Sequence, residues 1–201
     1  MFVKVCGLST PEDVHAAIDA GVDAIGVVMS PASPRHVDVA TARTVVDATE
    51  GAVDTVLVTN VLRAREAARI AADLGVSVLQ LHGTYTPQDF AVASEIVPRL
   101  WRATSLKHEP EPASGSHGEE LLLLDAPKPG AGRTWDLSAL VDARPSGRWL
   151  LAGGLSPANV AHAIAAADPW GVDVSSGVES APGVKDTDLI RAFVTAARRH
   201  A

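Results

Sequence analysis

The chain has 201 residues, of which 47% are hydrophobic and 4% aromatic, and it carries a formal net charge of −7. That length and apolar share support a single domain over residues 1–201 with one buried core, and the acidic balance argues against a nucleic-acid binder, which would be basic. No apolar run approaches the roughly 18 residues that span a bilayer, Met1 to Asp13 lack the pattern of a secretory leader, and the lone cysteine, Cys6, cannot form an intramolecular disulfide; the expected setting is the cytoplasm, with no membrane partner.

Taken in chain order, the first apolar run is Phe2–Cys6. A helix over Pro11–Ala20 follows, with Ser9-Thr10 as its cap, Pro in its first turn and Gly21 at its end. Further runs follow at Ala24–Met29, Thr55–Val58 and Ser77–Leu81, with Gly75 ending the helix before the last of these. Thr86-Pro87 opens a helix to Ile96. Then come Arg99–Ala103, Leu121–Leu124, Trp149–Leu151, a helix over Ser156–Ala167, and Val172–Val174. The runs are continuous rather than alternating, as in parallel strands covered on both faces. Most strand starts lie about 22 residues apart, close to the minimum for a strand, a helix and two loops. Eight such units make a (β/α)8 barrel of the TIM type near its lower size limit. An open doubly wound sheet is the alternative, but Cys6-Gly7-Leu8-Ser9 is not the glycine-rich dinucleotide loop that would usually follow its first strand. Lys107–Glu120 (KHEPEPASGSHGEE) breaks the pattern, so the helix after strand five should be short or missing.

In such a barrel the working residues lie at the C-terminal ends of the strands and in the loops beyond. Those positions hold Cys6, Arg35, His82, Asp125, Gly153-Gly154 and Asp173–Gly177. Cys6 is a small buried hydrophobe or, if activated, a base or nucleophile. Asp125 ends the run Leu121–Leu124. There it is a cap, or an acid whose proton is kept by desolvation. Arg35, in the two-proline loop Ser30–Arg35, is a solvated cation or a fork for a carboxylate or phosphate. His82 orients a substrate or pairs with nearby backbone. Gly153-Gly154 and Ser175-Ser176-Gly177 follow strands seven and eight, where backbone N–H groups commonly hold phosphate. No His, Asp or Glu pair has metal-ligand spacing, so no metal is expected.

These residues carry a resemblance. Lys4-Val5-Cys6-Gly7-Leu8, Ser33-Pro34-Arg35, Gln80-Leu81-His82-Gly83, Leu123-Leu124-Asp125, Gly132-Arg133-Thr134-Trp135-Asp136, Gly153-Gly154-Leu155 and Asp173–Glu179 together resemble the phosphoribosylanthranilate isomerase family, in order along nearly the whole chain. The resemblance implies a cofactor-free Amadori rearrangement in L-tryptophan biosynthesis. Its substrate is the small phosphorylated molecule N-(5′-phosphoribosyl)anthranilate. It also implies Asp125 as the general acid that opens the sugar ring and Cys6 as the base at C2′. Arg35 would hold the anthranilate carboxylate, His82 and Asp173 would bind substrate, and Gly153, Gly154, Ser175, Ser176 and Gly177 the phosphate. The chain departs from the family at His36 (usually Tyr), Thr59-Asn60, Arg133 (often Lys) and Leu137 (often aromatic). The sister isomerase of histidine synthesis has an acidic base where Cys6 stands and is longer. A non-catalytic sugar-phosphate barrel would need neither Cys6 nor Asp125. The sequence assigns no protein partner.

Overall fold

The computed structural model describes residues 1–126, 137 and 140–199. The Gly132–Asp136 motif, with Arg133, lies outside the described residues. Parallel strands close a barrel in chain order: β1 (Phe2–Cys6), β2 (Ala24–Val28), β3 (Asp54–Thr59), β4 (Val78–His82), β5 (Leu100–Ser105), β6 (Leu121–Asp125), β7 (Trp149–Leu151) and β8 (Gly171–Val174). Register along β1 sets Cys6 beside Gly26 of β2 and Lys4 beside Asp173 of β8. Around the barrel lie α1 (Pro11–Ala20), α2 (Val39–Asp47), α3 (Ala64–Leu74), α4 (Pro87–Ser94), α5 (Leu140–Ala143), α6 (Val160–Ala167) and α7 (Thr187–Arg198). Among the described residues no helix is long and apolar enough to cross a membrane.

Alternation along each strand sorts the side chains into two cores. Val3 and Val5 point outward to the helices, in the cluster that includes Ala68 of α3 and Phe193 of α7. Cys6, Val58, Trp101, Leu123 and Ala152 point inward and fill the barrel. Helix α3 shows why an alanine-rich segment suffices for the outer layer: Ala64, Ala67, Ala68, Ala71 and Leu74 recur at helical spacing and form its buried face.

The local signals act as their chemistry requires. Thr10 accepts from the Asp13 N–H at 3.2 Å, and Gly21 and Gly75 close α1 and α3 in the left-handed conformation. Thr86 and Asp89 form a reciprocal capping box at α4. The Ser156–Ala167 helix is shorter than its sequence suggests. Asn159 takes the Ser156 N–H on its side-chain oxygen, so the first residues form a turn and α6 starts at Val160.

Between β5 and β6 the described chain has no helix. Arg102, outward-facing and buried, fastens this segment instead. Its guanidinium donates to Glu119 at 2.7 Å, to the Ala113 carbonyl at 2.8 Å and to Glu109. A hairpin after β8, β9 (Glu179–Ala181) with β10 (Val184–Lys185), has no counterpart among the expected elements. The strands are three and two residues long, too short for an apolar period to register.

Candidate active site

A cavity of about 330 Å³ opens at the C-terminal mouth of the barrel. Cys6, Arg35, His82, Asp125, Asp173 and Ser175 all line it. A larger depression of about 680 Å³, lined by Val22, Asp47, Glu50 and Asp54 among others, holds none of the predicted site residues.

Asp125 ends β6 facing inward, and the Ala126 N–H donates to its Oδ1 at 2.7 Å. Desolvation outweighs that bond and pushes the carboxyl up to about 7. Its proton is therefore present through the lower part of the neutral range. The His82 Nε2 stands 3.9 Å from Asp125 Oδ2, too far for a hydrogen bond. Burial, helped by the charges of Lys4 and His108, lowers His82 to about 4, so the imidazole is neutral.

Burial pushes the Cys6 thiol up, while Lys4 and Lys185 pull it down through their charge. Lys4 is fully buried and donates to Asp173 at 2.9 Å. Burial opposes its ammonium, but Asp173 and the Cys6 thiolate hold it protonated above the ordinary lysine value. Burial likewise raises the Asp173 carboxyl against the pull of Lys4. The thiol thus lies beside a fixed cation at the end of β1, which offsets part of the burial penalty on its thiolate while the net direction stays upward.

Arg35 differs from the open fork that its sequence suggests. Its Nε and Nη2 donate to Glu179 at 2.6 and 2.9 Å. Lys185 also donates to Glu179, at 2.7 Å, and to the Ser175 carbonyl at 3.0 Å. Burial works against the Glu179 charge, but the hydrogen bonds from Arg35 and Lys185 hold the carboxyl below its usual range. The Arg35 stem crosses Gly7, where a Cβ would stand 2.8 Å from Cδ. The loop bearing Arg35 is also tied to β3, since Ser30 donates to Asn60 at 2.6 Å and Thr59 to the Met29 carbonyl at 2.9 Å. Thus Thr59-Asn60 serves the loop, while His36 is exposed and bridges Val28 outside the cavity.

The two glycine loops meet as backbone against backbone. A Cβ on Gly177 would fall 1.8 Å from the Leu155 carbonyl oxygen, and one on Gly153 would fall 2.5 Å from the Ala126 nitrogen. Gly153 and Gly154 have φ of 90° and 67°, conformations that glycine adopts freely. Ser176–Val178 is a single 3-10 turn. Gly153, Gly154, Ser176 and Gly177 lie outside the cavity lining, and Ser175 joins them to it. The Ser175 hydroxyl is already engaged, donating to the Cys6 carbonyl at 2.9 Å.

Lys4, Glu179 and Lys185 stand behind the cavity lining and bond to it, although the sequence assigns none of them a role. Lys4 left a signal: a cation inside an apolar strand, two residues from Cys6 and hence on its face. Glu179 ends the Asp173–Glu179 motif but carries no role there, and Lys185 leaves no signal, because the hairpin that holds both has no periodicity to read. Among the described residues no three His, Cys, Asp or Glu side chains are grouped to hold a metal.

Residues 3–196 match the family model described as N-(5′phosphoribosyl)anthranilate (PRA) isomerase. The N-(5′-phosphoribosyl)anthranilate isomerase of Afipia carboxidovorans is 38% identical over 209 residues, covering 98% of this chain and 89% of its own. The crystal structure of TrpF from Jonesia denitrificans is similar at a TM-score of 0.92 and 56% identity, covering 100% of this chain and 98% of that one. A phosphoribosyl anthranilate isomerase solved in complex with reduced 1-(o-carboxyphenylamino)-1-deoxyribulose 5-phosphate is similar at 0.83 and 28% identity, with 99% of each chain covered. The protein is therefore an isomerase on a (β/α)8 barrel. The chain belongs to the phosphoribosylanthranilate isomerase family, whose reaction is a step of tryptophan biosynthesis.

Proposed function

We propose that Asp125 and Cys6 are the acid and base of this chain's reaction, the Amadori rearrangement of N-(5′-phosphoribosyl)anthranilate to 1-(2-carboxyphenylamino)-1-deoxyribulose 5-phosphate. The observation that carries the assignment is a carboxyl held at about 7 in the same cavity as a thiol flanked by Lys4. Asp125 donates its proton to the ring oxygen. The C1′–O bond breaks, and the anthranilate nitrogen supplies the electron pair of a C1′=N iminium. Cys6 as thiolate then removes the C2′ proton, and the C2′–H electrons shift to form C1′=C2′ as the iminium electrons return to nitrogen. The Cys6 thiol then returns a proton to C1′ while the C2′ hydroxyl gives up its own to the Asp125 carboxylate, which leaves the ketone at C2′ and restores both the acid and the base. Neutral His82 and the Lys4-held Asp173 bind the sugar. The backbone N–H groups of Gly153, Gly154, Ser175, Ser176 and Gly177 take the phosphate, the one substrate charge that stays fixed throughout. The chain acts as one barrel domain in the cytoplasm, a reducing setting that suits the free, buried Cys6 thiol.

Both proton carriers are side chains. Purified protein should therefore consume N-(5′-phosphoribosyl)anthranilate in the presence of a chelator. Turnover that stops with chelator and returns with added metal would overturn the scheme.

Arg35 takes the anthranilate carboxylate. Glu179 occupies its Nε–Nη2 edge, so the substrate meets Nη1 and the second Nη2 hydrogen. Arg35→Ala should raise KM by roughly 10- to 100-fold, the range for hydrogen bonds to a charged group. Arg35→Lys should recover only part of this, because a point charge cannot serve Glu179 and substrate together as a planar fork does. An unchanged KM in Arg35→Ala would make this arginine a structural partner of Glu179 alone.

A further inference from the structure

The buried polar groups in and just behind the cavity wall divide into two sets. On the β1–β8 side each has a protein partner: Lys4 with Asp173, Ser175 with the Cys6 carbonyl, and Lys185 with Glu179. On the β4–β5 side they do not. Gln80 Oε1, Trp101 Nε1 and Ser105 Oγ are buried with no hydrogen-bond partner among the described residues. Of these three residues only Gln80 lines the cavity, and it is 2% exposed. A buried amide oxygen without a partner is unfavourable and calls for an explanation.

Gln80 precedes His82 by two residues on β4 and faces the same way, so it lies one layer below the mouth, on the cavity floor. Asp173 shares that floor, but its Oδ1 is already taken, accepting from Lys4. At the reacting carbons, the substrate group whose hydrogen bonding changes most is the oxygen on C2′. During the reaction it changes from a hydroxyl, which donates and accepts, to a carbonyl, which only accepts. A primary amide carries both a donor and an acceptor, so it can keep a hydrogen bond through that change.

We propose that Gln80 is a substrate-contacting residue whose amide, with its oxygen left unpartnered by the protein, holds the C2′ oxygen on the floor of the cavity. This rests on the acid–base reading given above. Two probes separate the claims by isothermal titration. One is reduced 1-(o-carboxyphenylamino)-1-deoxyribulose 5-phosphate, which carries a C2′ hydroxyl. The other is the same compound without oxygen at C2′. Wild-type protein should bind the first about tenfold or more tighter, because a site built around a hydroxyl rejects the analogue that lacks it. Gln80→Met should lose that preference while keeping its melting temperature, since no protein hydrogen bond is removed. Equal affinities in the wild type would overturn the assignment without any variant. A Gln80→Met protein that keeps the preference and melts lower would instead show an amide serving Trp101 Nε1. If neither probe binds the wild type, the substrate assignment of the cavity falls, and the role of Gln80 with it.

Discussion

Asp125→Asn should lower kcat by about 10²–10⁴-fold, the usual contribution of a general acid. The substitution keeps the shape of the side chain and leaves an oxygen to accept from the Ala126 N–H, but it has no proton to give the ring oxygen. The pH profile gives a second readout. The active form needs protonated Asp125 and ionised Cys6. Asp125 titrates near 7, and burial pushes the thiol up, so the acid loses its proton before the base does. Below about 7 the rate should rise with pH as the thiolate fraction grows. Between the two values it should be flat, because gain of thiolate offsets loss of the acid. Above the thiol value it should fall. Asp125→Asn should erase the limb near 7. Stability should move the opposite way from activity. With a folded pKa near 7, against an ordinary 3.8, the folded state binds the extra proton, so the penalty for ionising Asp125 is absent at low pH and complete above about 7. The asparagine variant should therefore melt higher than the wild type at pH 8. A loss of kcat under about tenfold, or a limb near 7 that survives in Asp125→Asn, would remove Asp125 as the acid.

Cys6→Ser should be as severe, again about 10²–10⁴-fold in kcat, because a serine hydroxyl is a far weaker base than a thiol beside a buried ammonium. Folding should be nearly unaffected. Serine is close in size to cysteine, and the Ser175 bond to residue 6 uses the backbone carbonyl, which every variant keeps. Substrate affinity should change less than kcat, since the carboxylate and phosphate anchors lie elsewhere. Alkylation gives a test that does not depend on turnover. Lys4→Met should shift the pH dependence of Cys6 reaction with iodoacetamide upward, because the cation that favours the thiolate is gone. An alkylation profile that Lys4→Met leaves in place would remove Lys4 from the control of this thiol. A Cys6→Ser enzyme within tenfold of wild type would return Cys6 to the role of a small buried hydrophobe.

Local patterning along the chain is enough to specify the barrel and the strand ends where its chemistry lies. Parallel strands covered on both faces must be continuously apolar, so a polar residue that closes such a run, as Asp125 closes Leu121–Leu124, stands out at the mouth. The caps at Thr10 and Thr86 and the missing helix after β5 were legible for a similar reason: each depends on residues a few positions apart. The start of α6 was misplaced because Asn159, which turns back to Ser156, competes with the helix that Ser156-Pro157 announces. The meeting of Arg35, Glu179 and Lys185 depends instead on long-range closure of the fold. Arg35 and Glu179 lie 144 residues apart in the chain and meet through the closure of β8 onto β1 and the hairpin beyond it. The same closure decided the pairing of Lys4 with Asp173, across 169 residues. Ion pairs of this kind leave no period and no local motif. They exist because burial makes an unpaired charge costly and the barrel leaves each buried charge only the neighbours that its register supplies.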